Sequence, residues 1–381
     1  MPRSPHLALV FALVFLGLFS SFSASANPAA YSLGIHKPAT ESFANDMNAR
    51  GQVAAMLEDE NGLQRGYYFE KGKLTELGLP GGRESIARRI NADGVVIGSA
   101  DSKNGNWRAF LYSSQAGMQT LGTLGGANSN GTAINDRGHA VGYSDLAGDD
   151  EWHAFLHRPG ETMIDLGTLG GKVSYANALN NRDQVVGAAA DKNGFRRAFV
   201  YDDAHGMVDL GTLGGRLSVA TAINDKGIIA GASETADRHW HAFVYDGKHM
   251  TDLGAIIGRG NSYATGINSA GHVVGMVQFG DERLSFVWRD GKMLVHNAGK
   301  ALYLTNAINN AEQVVGATLD NGGLDAAAMF SGTRPYVDQG GAKLAWLCFL
   351  CVFAAAAAVV WRKRYRGMQL MGFIGQGVWN K

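Results

Sequence analysis

The sequence predicts an all-β fold, a β-propeller of about seven four-stranded blades, followed by one C-terminal transmembrane helix. Three observations lead to this prediction: a repeat of steady length, a strand pattern within each repeat, and an apolar segment near the end of the chain. Glycine is abundant at 52 residues and proline is scarce at 7, a composition that is typical of many short turns.

The repeat is marked by an apolar residue followed by asparagine. The asparagines are Asn48, Asn91, Asn135, Asn180, Asn224, Asn268 and Asn309, at spacings of 41 to 45 residues. A fixed period over seven units predicts a repeat architecture.

Each unit contains four short strands, which the fifth unit shows as SVATAIN, IIAGAS, WHAFVY and MTDLG. A tight turn joins the first two strands, because asparagine can bond its own backbone and the glycine three residues later tolerates positive φ. That glycine is Gly51, Gly94, Gly138, Gly227 and Gly271. Asp183 and Glu312 replace it in two units, and we expect those turns to be less regular.

A small residue lies seven positions after each asparagine, inside the second strand. These residues are Ala55, Gly98, Gly142, Gly187, Gly231, Gly275 and Gly316, and they predict close approach of another backbone. The third strand is aromatic, as in RAFLY at 108–112 and HAFVY at 241–245. Small residues suit the centre of a propeller and bulky ones its periphery. An open β-solenoid is the competing architecture, although its repeat is usually shorter.

The N-terminal segment Tyr31–Gly34 matches a fourth strand that precedes the first unit. We therefore predict that it completes the last blade, whose other strands come from residues 303–330. Such a clasp closes a ring without disulfides.

The sequence motifs of the repeats resemble those of a known family. HAF at 153–155 and 241–243, DLGTLGG at 165–171 and 209–215, and the IN-x-x-G-x-VVG pattern are similar to the HAF-repeat family of bacterial exported proteins. The resemblance covers roughly residues 31–330. It implies an exported repeat protein and supplies no catalytic residues.

The two ends of the chain predict export and anchoring. Residues 1–26 have a basic start, an apolar run and a small-x-small site, as in a cleaved signal peptide. Residues 342–361 are apolar and precede a basic cluster, which predicts a transmembrane helix and a cytoplasmic tail over 362–381. The ectodomain is then 27–341, in the periplasm or outside the cell.

Composition excludes several classes of site. The net charge of zero gives no electrostatic footprint for nucleic acid. Cys348 and Cys351 are the two cysteines and lie in the predicted helix, so the ectodomain has no disulfide. DLGTLGG lacks the spacing of a phosphate loop and is interpreted as a crossover between blades. We predict no cofactor, metal or catalytic residues, although weak calcium binding in the acidic loops stays open.

Trp107, Trp152 and Trp240 recur where the third strand begins. They are either wedges between blades or platforms for a sugar or polymer ligand. The sequence therefore predicts a ligand-binding or scaffolding module at the cell envelope, with carbohydrate or protein as partner. The alternatives are an exported hydrolase or lyase with a site at the channel mouth and a purely structural surface protein.

Overall fold

The computed structural model describes residues 31–32, 41–148, 150–257, 260–280, 282–296, 304–320 and 323–330. The predicted signal peptide (1–26), transmembrane helix (342–361) and tail (362–381) lie outside these residues. Across the described ranges, no helix is both long enough and apolar enough to cross a membrane.

Seven antiparallel four-stranded sheets confirm the predicted propeller. After β1 (Tyr31–Ser32), blade 1 comprises β2 (Glu41–Met47), β3 (Val53–Glu58), β4 (Gln64–Glu70) and β5 (Lys73–Leu77), and blade 2 comprises β6 (Ser85–Ile90), β7 (Val96–Asp101), β8 (Trp107–Ser113) and β9 (Gly117–Thr120). Blade 3 comprises β10 (Gly125–Ile134), β11 (Ala140–Leu146), β12 (Trp152–His157) and β13 (Ile164–Asp165), and blade 4 comprises β14 (Gly170–Leu179), β15 (Val185–Asp191), β16 (Arg196–Asp202) and β17 (Gly206–Asp209). Blade 5 comprises β18 (Gly214–Ile223), β19 (Ile229–Thr235), β20 (Trp240–Tyr245) and β21 (Met250–Asp252), and a 3₁₀ helix (Gly254–Ile257) follows it. Blade 6 comprises β22 (Asn261–Ile267), β23 (Val273–Phe279), β24 (Glu282–Arg289) and β25 (Lys292–His296), and blade 7 contains β26 (Leu304–Ile308), β27 (Gln313–Asp320) and β28 (Gly323–Phe330).

The ring is closed by its N-terminal strand, as predicted. β1 pairs antiparallel with β28, with Tyr31 opposite Ala328 and Ser32 opposite Ala327, and becomes the fourth strand of blade 7. Blade 7 in turn packs against β2 of blade 1. The first strands of adjacent blades contact one another, so they form the innermost layer of the ring.

A glycine and a phenylalanine on neighbouring strands explain the small and bulky positions of the repeat. Gly187 on β15 lies opposite Phe199 on β16, and Phe199 is fully buried. A Cβ on Gly187 would lie 2.0 Å from the backbone oxygen of Tyr175 and 3.0 Å from the Phe199 ring. Glycine is required because the backbone of β14 and the aromatic ring already fill this space. Gly98, Gly142, Gly231 and Gly275 have the same surroundings in their blades.

The DLGTLGG segments are confirmed as crossovers between blades. Asp165 ends β13, Leu166 is buried, and Gly170 begins β14 of the next blade. Gly167 has φ of 72° and Gly170 has φ of 98°, values that an L side chain rarely adopts. Ser174 then ties the blades together, because its hydroxyl accepts the Ala154 N–H and donates to the carbonyl of Gly167.

Candidate ligand-binding site

The strand order gives the ring two different faces. The turns between first and second strands, which begin at the seven asparagines, all lie on one face, which we call the Asn-turn face. The loops between second and third strands and the DLGTLGG crossovers lie on the opposite face, which we call the crossover face. This follows because successive strands of every blade are antiparallel.

On the Asn-turn face, each asparagine joins its own turn to the next blade. The Oδ1 of Asn135 accepts the N–H group of Arg137 (3.1 Å), two residues on as predicted, and also that of His139 (3.0 Å). Its Nδ2 donates to the backbone carbonyl of Asn180 in blade 4 at 3.0 Å. The same link runs from Asn48 to Asn91, from Asn91 to Asn135, from Asn180 to Asn224, from Asn224 to Asn268 and from Asn268 to Asn309. The asparagines therefore form a chain of hydrogen bonds around the channel.

This chain surrounds a cavity of about 350 Å³ at the mouth of the channel, which we call the cup. Every blade contributes one aliphatic side chain to its floor: Met47, Ile90, Ile134, Leu179, Ile223, Ile267 and Ile308. The rim is formed by the residue after each asparagine: Ala49, Ala92, Asp136, Asn181, Asp225, Ser269 and Asn310. The floor is thus nearly the same in all units, whereas the rim differs from unit to unit.

Polar side chains of the rim are fixed by hydrogen bonds between blades. Asn181 Nδ2 donates to both Asp136 (3.0 Å) and Asp225 (3.1 Å). The backbone N–H of Asn181 also donates to Asp225 at 2.8 Å, and that of Asp136 donates to Asn181 at 2.9 Å. Two carboxylates from blades 3 and 5 are therefore held on either side of one amide. The Ala49 and Ala92 side of the rim is apolar.

A third carboxyl group, that of Asp46, lines the cup from the end of β2. Burial raises the pKa of Asp46, and the nearby Arg89 guanidinium and the N–H of Ile90 oppose this rise. The other units have arginine, alanine or glycine at this position. Asp46 is thus a departure from the repeat. Within the described part of the chain, no three His, Cys, Asp or Glu side chains are grouped so as to hold a metal ion.

The turns that contain Asp183 and Glu312 are regular, so the prediction of less regular turns was wrong. Asp183 has φ of 59° and Glu312 has φ of 60°, so both adopt the left-handed conformation of the glycines they replace. The Asp183 N–H donates to the Asn180 carbonyl at 3.1 Å, as the glycine N–H does in other units. Each carboxylate receives a histidine from the preceding blade: His139 Nδ1 lies 2.9 Å from Asp183, and His272 Nδ1 lies 3.0 Å from Glu312. These contacts, together with the ion pair between Arg137 and Asp183, hold the carboxylates in place while the turns stay regular.

The histidines of the HAF motifs also have a structural partner. His153 Nδ1 lies 2.8 Å from Asp165, and His241 Nδ1 lies 2.8 Å from Asp252, the aspartates of the following crossover. In blade 4, Arg197 Nε contacts Asp209 at 3.2 Å in the same way. Histidine and arginine can exchange here because either one donates to the aspartate. The predicted hydrogen bonds to a neighbouring segment are therefore confirmed.

The three predicted platform residues lie in three different blades, on the crossover face. Trp107, Trp152 and Trp240 begin the third strands of blades 2, 3 and 5, and all are half-buried. Trp240 stacks on Tyr263 of blade 6, with ring centroids 6.2 Å apart. Such a contact fits a wedge between blades, and a platform role stays a prediction.

Sequence reasoning missed the rim residues Asp136, Asn181 and Asp225. The signal was present, because each of them follows a repeat asparagine and differs from Ala49 and Ala92 at the same place.

No protein-family model matches the chain, and the comparison with curated proteins found no match. Solved structures show the fold. The β-propeller domain of the Trilobed protease from Pyrococcus furiosus, which has an open velcro topology, matches with a TM-score of 0.56 and 11% identity over 79% of this chain and 100% of that one. The acylaminoacyl peptidase of Pyrococcus horikoshii matches with a TM-score of 0.50 and 11% identity over 85% of this chain and 54% of that one. The BP39L lectin from Burkholderia pseudomallei gives a TM-score of 0.47 at 11% identity, over 80% of this chain and 98% of the lectin. Unlike the first of these, the present ring is closed by β1.

Proposed function

We propose that the chain is an exported, membrane-anchored propeller of the HAF-repeat type that binds a small polyhydroxylated ligand, such as a sugar, in the cup. The signal-like segment 1–26 and the apolar segment 342–361 support export and anchoring, with the ring in the periplasm or outside the cell. The sequence motifs of the repeats support the assignment to the HAF-repeat family.

The observation that carries this proposal is the contrast between the floor and the rim of the cup. Seven aliphatic side chains give a floor suited to the C–H face of a small molecule. Carboxylate and amide oxygens on one side of the rim can accept hydrogen bonds from ligand hydroxyl groups. A volume of about 350 Å³ falls in the usual range for small-ligand sites. A purely structural surface protein has no need of such a cavity.

The test is a screen of neutral mono- and disaccharides against the full chain, followed by ligand-detected NMR with two variants. Asp225→Asn keeps the size of the rim residue but removes its charge, and we expect affinity to fall about tenfold. Asp203→Asn removes an exposed carboxylate that lies outside the cup and should leave the affinity unchanged. Equal affinities for both variants, or no binder in the screen, would contradict the proposal.

The second candidate is a hydrolase or lyase that uses the cup, and Asp46 is the observation that favours it. A carboxyl group whose pKa is raised by burial is suited to donate a proton, and Asp225 or Asp136 would act as the ionised partner. This function predicts product release from envelope glycans that Asp46→Asn abolishes without weakening substrate binding. Binding without turnover by the wild type would exclude it.

A further inference from the structure

A second cavity, of about 330 Å³, lies on the crossover face between blades 4 and 5. Phe195, Arg216, Glu234 and Arg238 contribute its aromatic and charged side chains. Phe195 lies one residue before β16, at the loop position that Asn106, Glu151 and His239 hold in blades 2, 3 and 5. This cleft is on the face opposite the cup, so it does not depend on the function proposed above.

Arg238 adopts a backbone conformation that glycine adopts in the equivalent turns of other blades. Its φ is 67°, and its N–H closes a turn onto the carbonyl of Thr235. The same position of the same turn is Gly62, Gly105 or Gly194 in blades 1, 2 and 4, all with positive φ. A non-glycine residue is strained in this region, and strain that a glycine would relieve is a feature of functional sites. The strain places a guanidinium at the lip of the cleft.

Arg216 is the second basic side chain of the cleft. Its guanidinium lies over the Phe195 ring, 5.2 Å from the ring centroid. Its backbone N–H donates to the Glu234 carboxylate at 2.6 Å, which engages the one acidic side chain of the lining. The equivalent Lys172 of blade 4 is instead paired with Glu151.

Neither Arg216 nor Arg238 forms an ion pair with a carboxylate of the residues that the structure describes. Two guanidinium groups therefore line one cleft with their hydrogen-bonding capacity available. Guanidinium groups bind carboxylate and phosphate groups in a bidentate manner. The aromatic ring beneath Arg216 fixes the plane of that guanidinium and adds an apolar surface beside it.

We infer that this cleft binds the carboxylate or phosphate group of a small acidic ligand. Arg216 and Arg238 bind the anionic group, and Phe195 supports Arg216 and packs against the body of the ligand. Glu234 limits the net charge of the cleft, which favours one anionic group over a polyanion.

The test measures binding of three probes to the full chain by isothermal titration calorimetry: glucuronate, glucose 6-phosphate and glucose. The cleft should bind at least one of the acidic sugars, and which one identifies carboxylate or phosphate as the group recognised. Glucose should not bind there. Arg238→Gly should weaken binding of the acidic sugar about tenfold and raise the melting temperature, because glycine relieves the strained turn. Arg216→Ala should weaken binding to a similar extent, whereas Lys172→Ala, the matched change one blade earlier, should not.

A rise in melting temperature without any loss of binding in Arg238→Gly would overturn the inference. Failure of both acidic sugars to bind would also overturn it. Because the cup lies on the other face, the cup variant Asp225→Asn should leave this binding unchanged, and the two proposals can fail separately.

Discussion

The side-chain amide of Asn135 donates a hydrogen bond of 3.0 Å to the backbone carbonyl of Asn180 in the next blade. The same side chain organises its own turn through two N–H groups. One buried residue type thus fixes both the turn inside a blade and the joint between blades.

Replacement of Asn135 should destabilise both the turn within blade 3 and its contact with blade 4. Asn135→Ala removes four hydrogen bonds, two within its own turn and two from Nδ2 to Asn180 and Asp183 of blade 4, and should lower the free energy of unfolding by about 2–4 kcal/mol. Asn309→Ala is the matched control, because Asn309 makes the same turn bonds but its Nδ2 donates to Gln313 of its own blade. Asn309→Ala should lower the free energy of unfolding, measured with urea, by about 1 kcal/mol less than Asn135→Ala does. Equal losses for the two variants would argue against a stabilising role for the bond between blades.

The close packing of Gly187 and Phe199 predicts strong intolerance of a single methyl group. Gly187→Ala places a Cβ 2.0 Å from the Tyr175 carbonyl oxygen, so the strands must separate, and we expect a loss of about 3 kcal/mol or more. Gly211→Ala has positive φ but open space around it, and it should cost about 1 kcal/mol. Thermal unfolding of both variants tests the difference, and a Gly211 variant that is the less stable of the two would contradict the packing account.

The pairing of Asp183 with Arg137 and His139 predicts a pH-dependent stability. Burial tends to raise the pKa of Asp183, but hydrogen bonds and charges from Arg137 and His139 outweigh it and hold this pKa below the usual 3.8. A lowered folded-state pKa contributes stability above the unfolded-state pKa, and that stability is lost as the pH falls through the folded-state value.

Asp183→Asn removes the charge but keeps a residue that tolerates positive φ. It should be less stable than the wild type by about 1–3 kcal/mol at about pH 6, and the gap should close as the pH is lowered from there through the folded-state pKa of Asp183. Denaturant unfolding across this range measures the gap. A gap that stays constant with pH would show that the carboxylate charge is not responsible.

The stacking of Trp240 on Tyr263 separates the wedge and platform hypotheses. If Trp240 is a wedge, Trp240→Ala should lower the free energy of unfolding by about 1–3 kcal/mol through lost packing between blades 5 and 6. Trp240→Phe should recover most of it. A platform would instead show unchanged unfolding and loss of a bound sugar.

The sequence was sufficient for features that are local or periodic. The turn bonds of Asn135 and the positive φ of the glycines follow from residue type, and the period led to seven blades and to the clasp. The bond from Asn135 to Asn180 was not predicted, because it requires the position of the neighbouring blade. Asp183 was misjudged for the same reason, since its partner His139 lies 44 residues earlier.

The candidate site was less predictable than the fold. Trp240 was a candidate ligand platform because it is large and its position recurs in other blades, but recurrence is typical of packing positions. Asp136 and Asp225 were overlooked because each follows a turn asparagine, where a polar residue is ordinary. Their significance depends on Asn181 lying between them in space.

The central claim is a seven-bladed ring closed by the N-terminal strand, since the cup is built from residues of all seven blades. Tyr31 and Ala328 are opposite each other in the β1–β28 pair. We would replace both with cysteine and replace Cys348 and Cys351 with serine, then assay disulfide formation by mass spectrometry and non-reducing electrophoresis. The folded protein should form the Tyr31→Cys to Ala328→Cys disulfide and gain about 4–5 kcal/mol of stability, because the bond closes a very long loop. Two free thiols that react fully in the folded protein would contradict the closed ring.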